Sequence, residues 1–394
     1  MPLKALPPDD MFPDDESIMR RALLIAQQGR GGAEPNPLVG AVIVDQQRRF
    51  IAEGWHAQFG SCHAEIAAIQ AAQTTSGARL FVTLEPCSHH GRTAPCADAV
   101  IAAGFAEVVV GCIDPALHVS GRGIARLMDS DISVVTGLCQ AEAQELIAPF
   151  SMLQLNRRPW VHAKWAMTLD GRVAASSGHS KWITGEQSRQ EVHQLRGVMD
   201  AIITGAGTVR SDDPELTARP AGQRKATRVV LDTGGNSIHE KSRLVKTLAA
   251  APLMICLADN QPAAAAERLR NLGAEVLPLP LTDQGQLCVR SLMQELGRRN
   301  MAHVLLEAGP RVIGSFFDER LIDEVHAFIS PKIVGGEDAL APIGGTGLKS
   351  VPMLSSLGKT HVRRFEDDIL IHGRINRAEL SECERNHSPE QPPG

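Results

Sequence analysis

The segment Thr83-Leu84-Glu85-Pro86-Cys87-Ser88-His89-His90-Gly91-Arg92-Thr93-Ala94-Pro95-Cys96 constrains this chain more than any other stretch. An apolar run over 79–84 delivers Glu85-Pro86-Cys87, and a helix beginning at 94–96 carries Cys96. Upstream lies His63-Ala64-Glu65, in the first turn of an expected helix over 63–72. A fold that brings these together offers one imidazole, two thiols and a carboxylate that is not needed as a ligand. Thiols at helix N-termini favour the thiolate, because the unpaired N–H groups and the helix dipole stabilise negative charge. His63, Cys87 and Cys96 are therefore the expected ligands of a Zn2+ ion. One neutral His and two thiolates leave its fourth position open. A water there loses a proton near neutral pH, and Glu65 is the expected catalytic acid–base residue.

The rest of the first half alternates strand and helix. Helical spacing starts near Asp15 or Ser17 and ends at Gly31-Gly32. Pro35-Asn36-Pro37 is a turn, and strands are expected over 38–44 and 49–53. Beyond Cys96 come a strand over 107–112, a short helix over 123–128, a strand over 132–135 and a helix over 141–153. Pro95 reads as a first-turn proline. This alternation predicts an α/β fold, a three-layer domain over 15–155. Residues 1–14, rich in Pro and Asp, are expected to be disordered. Asn156-Arg157-Arg158-Pro159 is the boundary. A second α/β domain is expected over 159–376, followed by a polar tail over 377–394. Its expected strands are 160–167, 201–204, 227–231, 253–257, 303–307 and 324–329. Its expected helices are 185–196, 263–271, 289–299 and 312–319.

With 394 residues, two or three domains are expected. The net charge of −5 gives no basic footprint, so nucleic acid is not an expected partner. No apolar run approaches the ~20 residues of a membrane span, and the N-terminus lacks a signal-peptide pattern. A cytoplasmic enzyme with a small-molecule substrate is expected, as a homo-oligomer, dimer or tetramer. Eight cysteines in so long a chain point to metal binding or burial rather than a disulfide framework. Cys62, beside His63, reads as a small packing residue, and Cys112 as a strand-end core residue. Cys139, Cys256, Cys288 and Cys383 have no partner signal. Asn36 and His56 either line the pocket or are a plain turn residue and a packed His. Of His89 and His90 at least one is expected to face solvent. With Tyr 0 in the composition, no mechanism can use a tyrosine hydroxyl as general acid.

The ligand set is that of zinc-dependent base deaminases. A deaminase acting on a base in tRNA is disfavoured by the acidic balance and by the eight residues between Cys87 and Cys96. A non-catalytic zinc module would need a fourth protein ligand, and none volunteers. In the second domain, Gly205-Ala206-Gly207-Thr208-Val209-Arg210 follows a strand but lacks the third Gly of a dinucleotide fingerprint. It reads equally well as a plain loop. Glu307-Ala308-Gly309-Pro310 is either a phosphate seat at a helix N-terminus or a tight turn. Arg196 reads from the sequence alone as a solvated helix residue.

Three groups of residues closely resemble the bifunctional riboflavin-biosynthesis deaminase/reductase family: Pro35-Asn36-Pro37-Leu38-Val39-Gly40, His63-Ala64-Glu65, and Pro86-Cys87-Ser88-His89 with Gly91-Arg92-Thr93 and Pro95-Cys96. The likeness continues through Lys164, Ala166, Leu169-Asp170-Gly171-Arg172, Trp182-Ile183-Thr184, Gly205 to Val209, Asp212-Asp213-Pro214 and Glu307 to Pro310. It covers roughly 15–375. Asp114-Pro115-Ala116-Leu117 departs from the family's Asp-Pro-Asn-Pro, and Cys62 and Ala94 stand where it often has Pro. The resemblance implies a cytidine deaminase-like domain that hydrolyses the 2-amino group of a diaminopyrimidinone ribosylamine phosphate. It implies also a dihydrofolate reductase-like domain that reduces the ribose of the product with NADPH. By similarity Ala166, Trp182, Thr208, Asp212, Thr233 and the loop Gly309, Pro310, Arg311, Val312, Ile313, Gly314 and Ser315 are assigned to the nucleotide. Ser180, Arg196, Leu216, Arg219 and Glu307 are assigned to substrate. Lys164 and Asp212 are both candidates for the proton source.

Overall fold

The structure is a computed structural model that describes residues 10–88, 94–116, 120–180, 182–348 and 356–376. His89, His90, Leu117 and Cys383, the segment 1–9 and the expected tail lie outside the described residues. The chain divides into two compact units between Arg158 and Pro159.

In the first unit, α1 (Asp15–Ala26) starts at Asp14, whose side chain caps the Ser17 N–H while the Ser17 hydroxyl answers in a capping box. β1 (Gly40–Val44) and β2 (Phe50–Trp55) form an antiparallel pair. α2 (Ala64–Ala71), β3 (Arg79–Leu84), α3 (Cys96–Ala102), β4 (Glu107–Cys112), α4 (Arg122–Met128), β5 (Ser133–Thr136), α5 (Gln140–Leu146) and α6 (Ala148–Asn156) follow. The sheet order is β2-β1-β3-β4-β5. β3, β4 and β5 run parallel, while β1 is antiparallel to both neighbours. α1 packs on β1 and β3 and α5 on β4, whereas α2 lies on β1 and β2 and touches α3, which meets α4. These are three layers around one core that holds Phe81, Val82, Val109 and Val110.

Two expectations change here. Residues 10–14 are placed: Phe12 is buried and its N–H donates to the Arg48 carbonyl. A buried aromatic ring fixes a segment that its Pro and Asp content alone would leave loose. The expected helix over 141–153 is two helices, broken at Ile147, with Pro149 in the first turn of α6. Proline there has no N–H to continue the preceding helix.

The second unit contains β6 (Trp160–Thr168), α7 (Glu186–Arg196), β7 (Ala201–Gly205), α8 (Ala206–Asp212), β8 (Thr227–Leu231), α9 (Arg243–Lys246), β9 (Leu253–Ala258) and α10 (Ala263–Asn271). β10 (Glu275–Leu279), α11 (Val289–Arg298), β11 (His303–Leu306), α12 (Pro310–Asp318), β12 (Glu324–Ser330), β13 (Leu357–Phe365) and β14 (Asp368–Ile375) complete it. Nine strands form one sheet in the order β10-β9-β8-β7-β11-β6-β12-β14-β13. All pairs from β10 to β12 are parallel, and β14 and β13 close the edge antiparallel. The chain steps outward from β6 through β10, then returns to insert β11 between β7 and β6. In sheets of this kind the usual ligand position is at the carboxyl ends of the strands, where the strand order reverses.

Candidate active sites

In the first unit the apolar strand β3 ends at Leu84 and delivers Cys87. His63 is the N-cap of α2, with extended backbone, and Cys96 is the first residue of α3. His63 Nδ1 stands 3.1 Å from Cys96 Sγ and 3.7 Å from Cys87 Sγ. All three ligand atoms lie within 4.8 Å of one another. Pro95 is the N-cap of α3 rather than a first-turn residue. The Cys96 N–H donates to Cys87 Sγ at 3.3 Å, so the helix terminus bears on a thiolate. The two thiols shift in opposite directions because they share one hydrogen bond: Cys87 is pulled down and Cys96 pushed up. Soft sulfur donors beside an imidazole nitrogen fit zinc.

Glu65, in the first turn of α2, is 3% exposed, and burial pushes its carboxyl up to about 7. That places it near the pH at which a proton carrier must work. His56 packs edge-on to the His63 ring, with centroids 5.2 Å apart. Its Nδ1 lies 3.0 Å from the Cys62 carbonyl, and its Nε2 lies 3.1 Å from the Asn36 amide nitrogen. A carbonyl only accepts, so Nδ1 carries the proton and Nε2 accepts from Asn36. Burial lowers the His56 pKa and keeps the ring neutral. Asn36 and His56 thus form one bonded pair beside His63. Cys62 is exposed, not packed; it serves through its carbonyl, and its side chain leaves the cluster. Cys112 is buried at the end of β4 as expected.

In the second unit the polar centre is Glu307, just past β11. Arg196, the last residue of α7, grips its carboxylate with Nε at 2.8 Å and Nη2 at 2.9 Å. Lys164 Nζ, on β6, donates to it at 3.2 Å. Burial alone would raise this carboxyl, but the charges of Arg196 and Lys164 outweigh it and hold it at about 2. Arg196 also donates to the Thr217 carbonyl at 3.2 Å. Leu216 is buried in a left-handed conformation, φ 53°. Arg219 is bound to Glu215 and, at 3.1 Å, to the Thr217 hydroxyl. The Ser180 hydroxyl donates to Asp212 at 3.2 Å. Trp182 is 69% exposed, its ring under the Arg189 guanidinium and its carbonyl accepting from Lys332. Ala166 packs against a small cluster around Phe328.

The segment from Gly205 to Arg210 is neither fingerprint nor loop: Gly205 caps α8, which begins at Ala206. Gly309 caps α12, with Pro310 in its first turn. A Cβ on Gly309 would stand 3.6 Å from the Thr208 hydroxyl, and one on Gly207 would meet nothing within 4 Å. Two glycines thus keep a cradle clear at the carboxyl ends of β7 and β11. Such a cradle at a helix N-terminus fits a nucleotide phosphate. Arg311, Val312, Ile313, Gly314 and Ser315 form the following turns of α12. There Ile313 is buried, and the Ser315 hydroxyl donates to Gln286 at 2.7 Å. Thr233 lies after β8, where its carbonyl accepts from Ala258.

Residues 159–371 match the RibD C-terminal domain, and residues 13–112 match the cytidine and deoxycytidylate deaminase zinc-binding region. Riboflavin biosynthesis protein RibD of Aquifex aeolicus is 36% identical over 91% of this chain and 97% of its own length. The Escherichia coli K12 RibD is also 36% identical, covering 91% of this chain and 98% of its own length. A Thermotoga maritima diaminohydroxyphosphoribosylaminopyrimidine deaminase/5-amino-6-(5-phosphoribosylamino)uracil reductase superimposes with a TM-score of 0.78 at 36% identity. That match covers 92% of this chain and 98% of the other. The chain belongs to the RibD family. The α/β fold of each unit agrees with this membership, a deaminase-like unit followed by the RibD reductase unit.

Within this RibD family chain, Glu85 is a site residue that sequence reasoning missed. Its buried carboxylate accepts N–H groups from Asp114 at 3.2 Å, Gly121 at 3.0 Å, Gly123 at 2.9 Å and Ile124 at 3.4 Å. It ties the loop before α4 to the strand end that carries Cys87. Ala116, at the departure from the family pattern, is buried, and its N–H donates to Asp114 at 2.8 Å.

Proposed function

We propose that the chain carries out two successive steps of riboflavin biosynthesis. The first unit hydrolyses 2,5-diamino-6-(5-phosphoribosylamino)pyrimidin-4(3H)-one to 5-amino-6-(5-phosphoribosylamino)uracil. The second reduces the ribose of that product to the ribitylamino compound. Its cofactors are Zn2+ and NADPH. The observation that carries the reading is the convergence of His63, Cys87 and Cys96 on one point, with buried Glu65 beside them, in a chain whose residues 159–371 match the RibD C-terminal domain.

Zinc held by His63, Cys87 and Cys96 supplies the Lewis acidity that makes water a nucleophile near neutral pH. Glu65 takes a proton from that water and returns it to the departing amine. Its raised proton affinity suits it to hold the proton between the two events. Asn36 and His56, fixed to each other, orient the pyrimidine edge. A neutral imidazole there adds no charge that would compete with the departing ammonia.

NADPH supplies the hydride for the second step. The capped start of α12 and the open glycines at 207 and 309 seat its phosphates. Thr208, Asp212, Thr233, Ala166 and Trp182 frame it. Ser180, Arg196, Leu216, Arg219 and Glu307 hold the ribosyl phosphate end of the substrate. Glu307 also keeps Lys164 and Arg196 at fixed separation. Lys164 and Asp212 are the two candidates for the proton that accompanies hydride. The pH profiles of Lys164→Met and Asp212→Asn separate them.

No described helix is long and apolar enough to cross a membrane. The reading extends to a cytoplasmic homo-oligomer, dimer or tetramer, that does not use nucleic acid; light scattering of the purified chain checks its assembly. The test of function is turnover of the diaminopyrimidinone with NADPH. The product is expected to have lost one amine to oxygen and gained two hydrogens on the ribose. Recovery of unchanged substrate would refute the reading.

A further inference from the structure

Histidines cross the reductase sheet on neighbouring strands: His303 on β11, His162 on β6, His326 on β12, His372 on β14 and His361 on β13. Register brings them together. Glu324 pairs with His162 across β6 and β12, and His326 lies two residues on, on the same face. His326 in turn pairs with His372, and His372 with His361. Three of these side chains converge. His162 Nδ1 is 3.3 Å from His326 Nε2. Glu324 Oε2 is 3.7 Å from His162 Nδ1, and Glu324 Oε1 is 3.3 Å from His326 Nε2.

We propose that His162, Glu324 and His326 form a second metal site, in the reductase unit, for a divalent transition metal of the zinc class. The donor set decides the class, and the separations are compatible with it. With Zn–N and Zn–O bonds of about 2.0–2.2 Å, tetrahedral ligand atoms stand ~3.3 Å apart. The two imidazole nitrogens stand 3.3 Å apart, and Glu324 offers one oxygen to each, at 3.7 Å from His162 and 3.3 Å from His326. The first centre gives an internal yardstick, with His63 Nδ1 at 3.1 and 3.7 Å from its two sulfurs. Among the described residues, the candidate ligand atoms of each unit form one group of three that lie within 4.8 Å of one another.

The surroundings orient these ligands as metal sites require. His162 Nε2 is 3.0 Å from His303 Nδ1, so in the tautomer that carries its proton on Nε2 the His162 ring is held by this contact and presents its Nδ1 lone pair to the metal. The Trp160 indole N–H donates to Glu324 Oε2 at 3.3 Å, fixing the carboxylate plane. The side chains are withdrawn from water, at 3% exposed for His162, 17% for Glu324 and 12% for His326. Arg374, stacked on the Trp160 ring, already bears on the Glu324 charge. Affinity therefore comes mainly from the two imidazoles, which favour zinc, nickel or copper over magnesium or calcium. A metal here would clamp β6 to β12 along the strand that also carries Lys164, two residues from His162. The site uses no thiol and stands apart from the deaminase ligands in sequence and unit.

The test is metal stoichiometry on the full chain, stripped, dialysed against Zn2+ and freed of excess. Two ions per wild-type chain are expected, and one each in Cys96→Ser and in Glu324→Gln. In Cys96→Ser, Co2+ at the remaining site is expected to show visible ligand-field bands without thiolate-to-metal charge transfer. Trp160→Phe keeps the ring and loses the N–H on Glu324, so it should weaken the second ion by about tenfold. Zinc should raise the melting temperature of Cys96→Ser but not of Cys96→Ser combined with Glu324→Gln. A protonated imidazole bridged to Glu324 would hold the same atoms together without metal. In that case wild type binds one ion, Cys96→Ser binds none, and the proposal is overturned.

Discussion

Glu307 shows how a buried charge can be made cheap enough to keep. Alone, a carboxylate withdrawn from water would rather be protonated. Arg196 and Lys164 reverse this and hold its pKa at about 2, below the ordinary 4.5. A carboxyl whose folded pKa is depressed contributes stability that is present above its unfolded value. That stability is lost as pH falls through the folded value. The contribution should therefore be complete above about pH 4.5 and fade towards pH 2. Glu307→Gln should cost on the order of 3 kcal/mol at pH 7, because it leaves two buried cations without their partner. The gap between wild type and variant should close as pH drops through that window. Denaturant unfolding at a series of pH values checks this, and a gap independent of pH would remove the ion triad from the account.

Among elements, the turn into α4 matters most to the metal centre. A Cβ on Gly123 would stand 1.9 Å from the Pro86 carbonyl oxygen, one residue before the proposed ligand Cys87. Gly123→Ala must push that strand end or the helix away. The expected cost is about 1–3 kcal/mol of stability, together with a lower zinc content in the purified chain. Full zinc occupancy with unchanged melting would mean that α4 does not hold the ligand loop. This contact also marks where sequence reading stops. β3, β4 and β8 were legible because each is a short apolar run ended by a turn. The convergence of His63, Cys87 and Cys96 was legible because residue type and spacing point to it. Glu85 was not, because its partners are backbone N–H groups at 114–124, which have no signature in sequence. α8 was hidden by Gly205 and Gly207, which look like a loop but serve as cap and open floor. β13 and β14 were missed because an edge hairpin with an exposed face lacks the apolar pattern of a buried strand. The His162, Glu324 and His326 cluster was invisible because register, not spacing, joins residues so far apart.

For the whole molecule, two units with separate cores carry separate chemistries. Cys96→Ser should abolish deamination, since it removes one of the three proposed zinc ligands. NADPH oxidation with pre-deaminated substrate should stay within about twofold of wild type, as expected for independent sites. Parallel loss of both activities would mean that the units do not act independently. The central claim, however, rests on Glu65, a carboxylate that does not bind the metal and handles the proton. The measurement that tests it most directly is Glu65→Gln, assayed for zinc content and for both half-reactions. Zinc should remain at the wild-type level and reduction of pre-deaminated substrate should persist. Deamination should fall by about a thousandfold or more. Near-normal deamination in a zinc-loaded Glu65→Gln chain would contradict the account.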